Sequence, residues 1–363
     1  MSTPVEHVPS HHFRGADRDR NGSGVLVKDC CAAPVAAEPI EPCAPAPAEA
    51  PRAWVHYARI ARPDHWFKNV LMLPGTMVAI VLLPSFSATL HLLPWVGVGF
   101  AAACLAASAN YVVNEYLDAQ FDRHHPTKRT RPCAAGLIRG RYVLLEYGAL
   151  ASAGLGLAAL VGLQFLLVTV GLLGMGLVYN VRPARTKDRP YLDVLSESVN
   201  NPLRFLLGWS VVLGNQLPPS SILITYWMGG AFLMGVKRYA EYRSIGDARV
   251  AGRYRRSLRF YSEKSLLLSS FFYALVSSFF LGIFLIKYRI EFLLTAPAFA
   301  LLFTWYLEIG MRDQSPAQAP EGLFREWRFA AFTVALVVLV GALFYLDIPW
   351  LAWLLERNVY GAP

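Results

Sequence analysis

Charge is what this chain has least of. Aspartate, glutamate, lysine and arginine make up 16% of its 363 residues, where a soluble domain carries about 25%. That deficit excludes an ordinary water-soluble globule. Sustained alternation of polar and apolar residues is missing too, which excludes a membrane β-barrel. Cysteines number five: Cys30, Cys31, Cys43, Cys104 and Cys133. They are too scattered for a disulfide framework and have no zinc-type spacing with histidine, so they read as unpaired thiols. The N-terminal stretch lacks the apolar run of a signal peptide, and no internal repeat is visible.

Long apolar runs are what the chain has instead. Hydrophobic residues reach 55% and the mean hydropathy is +0.37. A bilayer-crossing helix needs about 20 mostly apolar residues. By that measure about nine spans are expected, near 67–84, 92–114, 142–160, 163–181, 201–216, 221–239, 266–286, 292–310 and 328–346. The expected fold is therefore all-α: a polytopic membrane protein. Residues 1–52, rich in Pro, Ala, Glu and Ser, read as a disordered cytoplasmic tail. Residues 53–363 read as one membrane-embedded domain.

The net charge is +9. In a soluble chain that would raise the question of nucleic acid, but here the cations lie in loops between apolar runs, so no nucleic-acid partner is expected. Stretches 122–141, 182–193, 237–264 and 311–328 are long and basic. They alternate with short, nearly uncharged loops such as GLQ and GNQLPPS. Basic loops face the cytoplasm, which puts the N-terminus inside a plasma (inner) membrane. The KYRIE segment, 287–291, falls on the other side and dissents mildly.

One stretch concentrates polar chemistry: NEYLDAQFDRHHPTKRTRP, residues 114–132. If the second span stays helical to Asp122, then Asn114, Glu115, Asp118 and Asp122 fall within an arc of about 100°. Carboxylates crowded on one face repel each other unless a cation joins them. Ionisable groups at membrane depth mark function. Hard oxygen ligands at this spacing suit Mg²⁺. Lys128, Arg129 and Arg131 follow at once and can hold phosphate oxygens. A second polar face carries Asp193, Glu197, Asn200 and Arg204 within about 60°, with Pro202 able to kink the helix. Asp193 and Arg204 have an alternative role in a buried ion network. Lys237, Arg238 and Glu241 end the sixth span. RVAGRYRRSLRFYSEK, further on, reads as a basic amphipathic helix resting on anionic headgroups. Lys68 and Arg62, just before the first span, can reach phosphate.

These motifs resemble a family. Asn114-Glu115-x-x-Asp118-x-x-x-Asp122 is similar to the N-D-x-x-D-x-x-x-D signature of the UbiA-type intramembrane prenyltransferase superfamily. The resemblance covers about residues 55–350. It implies nine helices around a central cavity and Mg²⁺ bound to a substrate diphosphate. A narrower match is visible in R-P-x-x-W-x-K-N (Arg62–Asn69), D-R-x-H-P-T-K-R-x-R-P (Asp122–Pro132) and K-R-Y-A-E (Lys237–Glu241). These resemble the decaprenyl-phosphate phosphoribosyltransferase branch, which moves 5-phosphoribose from phosphoribosyl diphosphate to a polyprenyl phosphate for cell-envelope precursors.

The resemblance implies Asn114, Glu115, Asp118 and Asp122 as metal ligands, with Asp118, Asp122 and Asp193 as catalytic groups. It implies substrate contacts from Lys68, Lys128, Arg129, Arg131, Glu197, Arg204, Lys237, Arg238 and Glu241. The sequence departs from the pattern at Glu115, where an aspartate is usual, and in S-V-N-N-P-L-R before Arg204. Glu115→Asp is expected to be tolerated if the longer acid is merely a family variant. The second aspartate-rich motif of aromatic prenyltransferases is absent: only Glu241 and Asp247 remain there. Two rival expectations stand: prenyl transfer to an aromatic or other acceptor, and a transporter. Self-association in the bilayer is left open.

Overall fold

Small residues decide how these helices meet. Without a hydrophobic drive between apolar helices in lipid, close packing of small side chains holds them together. The computed structural model describes residues 53–83, 90–123, 128–313, 315–318, 326–343 and 346–354. The tail assigned to residues 1–52 lies outside them.

The chain begins with helix α1 (Ala53–Ile60) and a 3₁₀ stretch (Pro63–Met72), then α2 (Leu73–Val81), α3 (Leu93–Asp122), α4 (Gly140–Val161) and α5 (Leu163–Asn180). Next come α6 (Leu192–Ser198), α7 (Asn200–Val212), α8 (Ser220–Ile245) and α9 (Ala248–Tyr254). The bundle closes with α10 (Glu263–Tyr288), α11 (Ala296–Met311), α12 (Trp327–Leu343) and the short α13 (Pro349–Leu354). Among the described residues there is no strand. The all-α reading therefore holds. Among the described residues, five helical stretches are long and apolar enough to cross a membrane, against the nine spans expected: 93–122, 140–161, 163–180, 263–288 and 290–311. The expected spans 67–84, 201–216 and 328–346 meet helices shorter than 18 residues.

The centre of α3 is alanine-rich. Ala102, Ala103, Ala106 and Ala109 pack in one cluster with Ala151 and Ala158 of α4 and Phe165, Leu172 and Leu173 of α5. On the other flank α2 and α7 cross at nearly backbone contact. Thr76 donates to the Gly208 carbonyl at 3.0 Å. A Cβ added at Gly208 would fall 1.8 Å from the Met72 carbonyl oxygen. Gly208→Ala is accordingly expected to cost about 1–3 kcal/mol through overpacking. A melting curve in detergent checks this, and an unchanged midpoint would contradict the close crossing. The outside of the bundle is apolar: Leu144, Leu145, Leu160, Leu163 and Leu167 are all exposed, a surface suited to lipid.

Pro202 shapes the polar end of α7. It has no N–H to give the Ser198 carbonyl, and its ring crowds that carbonyl. The helix assignment lapses for one residue at Val199, between α6 and α7, while its backbone stays in the right-handed helical region. Asp193 and Glu197 thus lie on α6, and Asn200 and Arg204 on α7. Asp247, noted as a remnant of an acidic motif, instead caps α9, its carboxylate accepting from the Arg249 and Val250 amides at 2.6 and 3.4 Å. Ser262 and Ser265 form a reciprocal capping box that starts α10.

Candidate active site

The basic loops gather at one end of the bundle, over the C-terminal end of α3. There each carboxylate of the acidic face meets a cation from a different loop. Glu115 Oε2 accepts from Arg62 Nη2 at 2.9 Å and from Nε at 3.2 Å. Arg62 sits in the left-handed region, φ 50°, as the 3₁₀ stretch begins. Asp118 Oδ1 accepts from Lys187 Nζ at 2.5 Å and from Arg185 Nη2 at 3.4 Å. Asp122 Oδ2 accepts from Arg131 Nη1 at 2.6 Å.

Lys187 is the focus of the first network. Its ammonium also donates to the side-chain oxygens of Asn114, at 3.3 Å, and Asn180, at 2.8 Å. Three oxygens thus surround one cation. Burial brings the Lys187 ammonium down to about 8, against the opposing pull of Asp118. Arg185 bridges Asp118 and Asp188, and also donates to the Asn180 carbonyl.

A second network lies beside it, built on Asp193. This carboxylate is 0% exposed. It accepts from Ser257 at 2.9 Å and from Tyr261 at 2.7 Å. Arg255 and Arg238 flank it at 3.4 and 3.6 Å. Arg238 reaches on to Glu197 at 3.1 Å and Glu241 at 2.9 Å. Tyr179 donates to Glu197 at 2.6 Å and accepts from Arg255. Lys128 stands 4.0 Å from Glu241.

Several expected placements change. The four expected metal ligands do not form a cluster: among the described residues, no three His, Cys, Asp or Glu side chains come together as a metal site. The reason is electrostatic. Like charges on one helix face are relieved by separate cations from separate loops. Asp193, an expected catalytic group, is fully buried and engaged by Ser257, Tyr261, Arg255 and Arg238. Arg204 is not tied to Asp193: its Nε donates to Asn69 at 2.9 Å, and Asn69 donates to Cys104 Sγ. Arg129 is exposed, and Lys68 lies 3.2 Å from His65. Lys237 is half-buried and has no hydrogen bond or ion pair among the described residues. His124 to Thr127 lie outside the described residues. The basic stretch after α8 is not one outward-facing helix. The chain turns extended at Arg255, which swings Arg255, Ser257 and Tyr261 inward.

Tyr179, Asn180, Arg185, Lys187 and Arg255 escaped the sequence reading. The 182–193 loop had been weighed only as a topology signal. The available clue is YNVRPARTKD, three cations after an apolar helix that ends in an asparagine.

As donors, Asn114, Glu115, Asp118 and Asp122 all present hard oxygens, the type a divalent cation such as Mg²⁺ takes. Glu115 Oε1 is buried with no hydrogen-bond partner, and the Asp118 side chain is 23% exposed. These groups fit a hard cation in donor chemistry.

The description "UbiA prenyltransferase family" matches residues 72–332, well over half of the chain. This chain belongs to the UbiA prenyltransferase family. Its helices and its lipid-suited surface are those of an integral membrane protein. Decaprenyl-phosphate phosphoribosyltransferase of Corynebacterium glutamicum is 32% identical over 212 residues, 56% of this chain and 59% of that one. The protein of the same name from Mycolicibacterium smegmatis is 29% identical over 209 residues, covering 57% and 63%. The matches thus span about three-fifths of those relatives' length. A UbiA homologue from Archaeoglobus fulgidus, solved with GPP and Mg²⁺, superposes with a TM-score of 0.60 at 21% identity. That match covers 80% of this chain and all of the other. It shows the shared fold.

Membership gives Glu115 a sharper meaning. Glu115 accepts twice from Arg62, so the longer acid is more than a family variant and Glu115→Asp is no longer expected to be harmless. Shortening the acid is expected to break a charge-assisted contact worth about 1.5–3 kcal/mol and to lower the melting midpoint in detergent by several degrees. An unchanged midpoint would show that Arg62 does not depend on it.

Proposed function

We propose that this UbiA-family enzyme transfers 5-phosphoribose from phosphoribosyl diphosphate to a polyprenyl phosphate, decaprenyl phosphate being the model acceptor. The observation that carries the reading is the density of cations at the α3 end. Lys187 and Arg185 sit on Asp118, Arg131 on Asp122, and Arg238 and Arg255 on Glu197. Two phosphorylated substrates need such a set. The relatives at about 30% identity carry the name of this reaction.

Asn114, Glu115, Asp118 and Asp122 do not converge as they stand, and are proposed to hold Mg²⁺ once a substrate diphosphate takes over Lys187, Arg185 and Arg131. Bound there, the ion would supply charge neutralisation to a departing diphosphate. The protein's own groups do the rest. Lys128, Arg131, Lys187 and Lys237 offer N–H donors to phosphate oxygens. Glu197 and Glu241 hold Arg238 in place for the same work, and Asp193 locks Arg255. Lys68, Arg129 and Arg204 are proposed to complete the anion-binding rim. The acceptor phosphate is already an anion at neutral pH, so no strong general base is required. Catalysis is then positioning and charge stabilisation. The polyprenyl tail lies among the exposed leucines, in the bilayer. The basic end is proposed to face the cytoplasm, by the positive-inside rule. The charge cluster lies at one end of the bundle, unlike the midplane sites of transporters, so a transporter role is not proposed.

A second reading keeps the fold and moves a prenyl chain instead. It draws on 25% identity over 179 residues to the 4-hydroxybenzoate octaprenyltransferase of a Shewanella species. Mass spectrometry of the lipid made by purified protein decides between them when both donors and both acceptors are supplied. A phosphoribosylated polyprenyl phosphate supports the first reading. A prenylated aromatic acid as the sole product overturns it.

A further inference from the structure

A second basic recess lies at the same end, beside the last turn of α3. It is a pocket of about 730 Å³ lined by Phe121, Gly252, Arg253, Arg256, Arg259 and Phe260, among others. Among the described residues lining it, none is acidic. Its three arginines are all exposed, Arg256 by 50% of its side chain. Phe260 is 67% exposed and lies three residues before α10, which is long and apolar enough to cross a membrane. The recess therefore opens at the level where a bilayer's headgroups meet its acyl chains. Its walls suit both: guanidinium groups for an anion, phenyl rings for the first methylenes.

The recess is shaped by the fold. Gly252 lets the 3₁₀ turn of residues 256–260 lie directly against α9: a Cβ there would fall 2.9 Å from Arg259 Cβ. That turn presents Arg256 and Arg259 beside Arg253. Arg256 also stands over the Phe121 ring, 5.2 Å from its centroid. It pairs with Asp188 at 3.6 Å, and Asp188 accepts from Arg185, which reaches Asp118.

We infer that this recess binds the headgroup of an anionic phospholipid of the surrounding membrane, and that the bound headgroup draws Arg256 away from Asp188. Charge complementarity names the ligand: three cations without an acid among the lining residues, beside an exposed phenylalanine at the interface. The Arg256–Asp188–Arg185 chain connects the recess to Asp118.

The test uses the full chain in nanodiscs of phosphatidylcholine alone or with phosphatidylglycerol, read by native mass spectrometry of retained lipid and by melting midpoint. The wild type is expected to retain phosphatidylglycerol selectively and to melt higher in its presence. Each cation near an anionic surface is worth about a fivefold factor. The double variant Arg253→Gln, Arg259→Gln, whose side chains lie outside both catalytic networks, is expected to lose roughly 25-fold in phosphatidylglycerol affinity. Its melting midpoint in phosphatidylcholine should stay unchanged, which separates lost binding from lost folding. Equal phosphatidylglycerol retention by wild type and variant overturns the proposal. So does equal stabilisation of the wild type by inorganic phosphate without lipid, because the ligand would then be a free anion. Both readouts are independent of which group the enzyme transfers.

Discussion

Asp118→Asn is expected to abolish turnover, lowering kcat at least about 10³-fold, while the protein still inserts and folds. The size follows from the position. Asp118 is the carboxylate on which Lys187 and Arg185 converge, and it is one of the four proposed oxygen donors to the ion. Losing one preorganised electrostatic partner typically costs 10²–10³ in kcat. Here the loss falls on the ion and two cations together. The amide keeps the shape and an oxygen for Lys187, so the fold has little reason to fail. Its side chain is partly exposed rather than sealed, and Lys187 retains Asn114 and Asn180. Initial rates with saturating substrates check the effect, with the melting midpoint as control. A variant within tenfold of wild type would remove Asp118 from the chemistry.

Asp193→Ala is expected to act in the opposite sense, on stability first. Asp193 is fully buried between two guanidinium groups, and its oxygens accept from Ser257 and Tyr261. Removing it takes away one of the two carboxylates that Arg238 and Arg255 share, leaving Glu197, and leaves Ser257 and Tyr261 without their acceptor. Breaking a buried pair by deleting one partner costs about 3–5 kcal/mol, enough to lower the yield of folded protein and the melting midpoint sharply. Asp193→Asn keeps the acceptor oxygen and loses only the charge, so it should fall between wild type and alanine. The readout is the midpoint in detergent together with the fraction that elutes as a single species. Normal stability in the alanine variant, with turnover alone abolished, would return Asp193 to a catalytic role.

These two aspartates show what the sequence could and could not tell. Run length and hydropathy locate helices because a bilayer demands that many apolar residues in a row, and five helices among the described residues meet that demand. The acidic face of α3 was equally legible, since residues three and four apart share a helix side. Pairing across the fold was not. Arg62 lies 53 residues from Glu115, and Lys187 lies 69 from Asp118. No local period links such partners. Nor were the partners of the Asp193 stripe legible: Asp193 meets Ser257 and Tyr261, and Arg204 meets Asn69, all more than 60 residues away. The arginines of 249–259 misled for a local reason. A helix read through Arg255 puts every cation outside, whereas the extended backbone at that residue turns Arg255 inward.

The central claim is that the carboxylate and cation networks at the end of α3 serve two phosphorylated substrates. The most direct test supplies detergent-purified protein with decaprenyl phosphate and ribose-labelled phosphoribosyl diphosphate, then follows the label into a chloroform extract. The account predicts label in the lipid phase with Mg²⁺ present, none after chelation, and none with Asp118→Asn. Label that stays in the aqueous phase while the same preparation consumes prenyl diphosphate would contradict it.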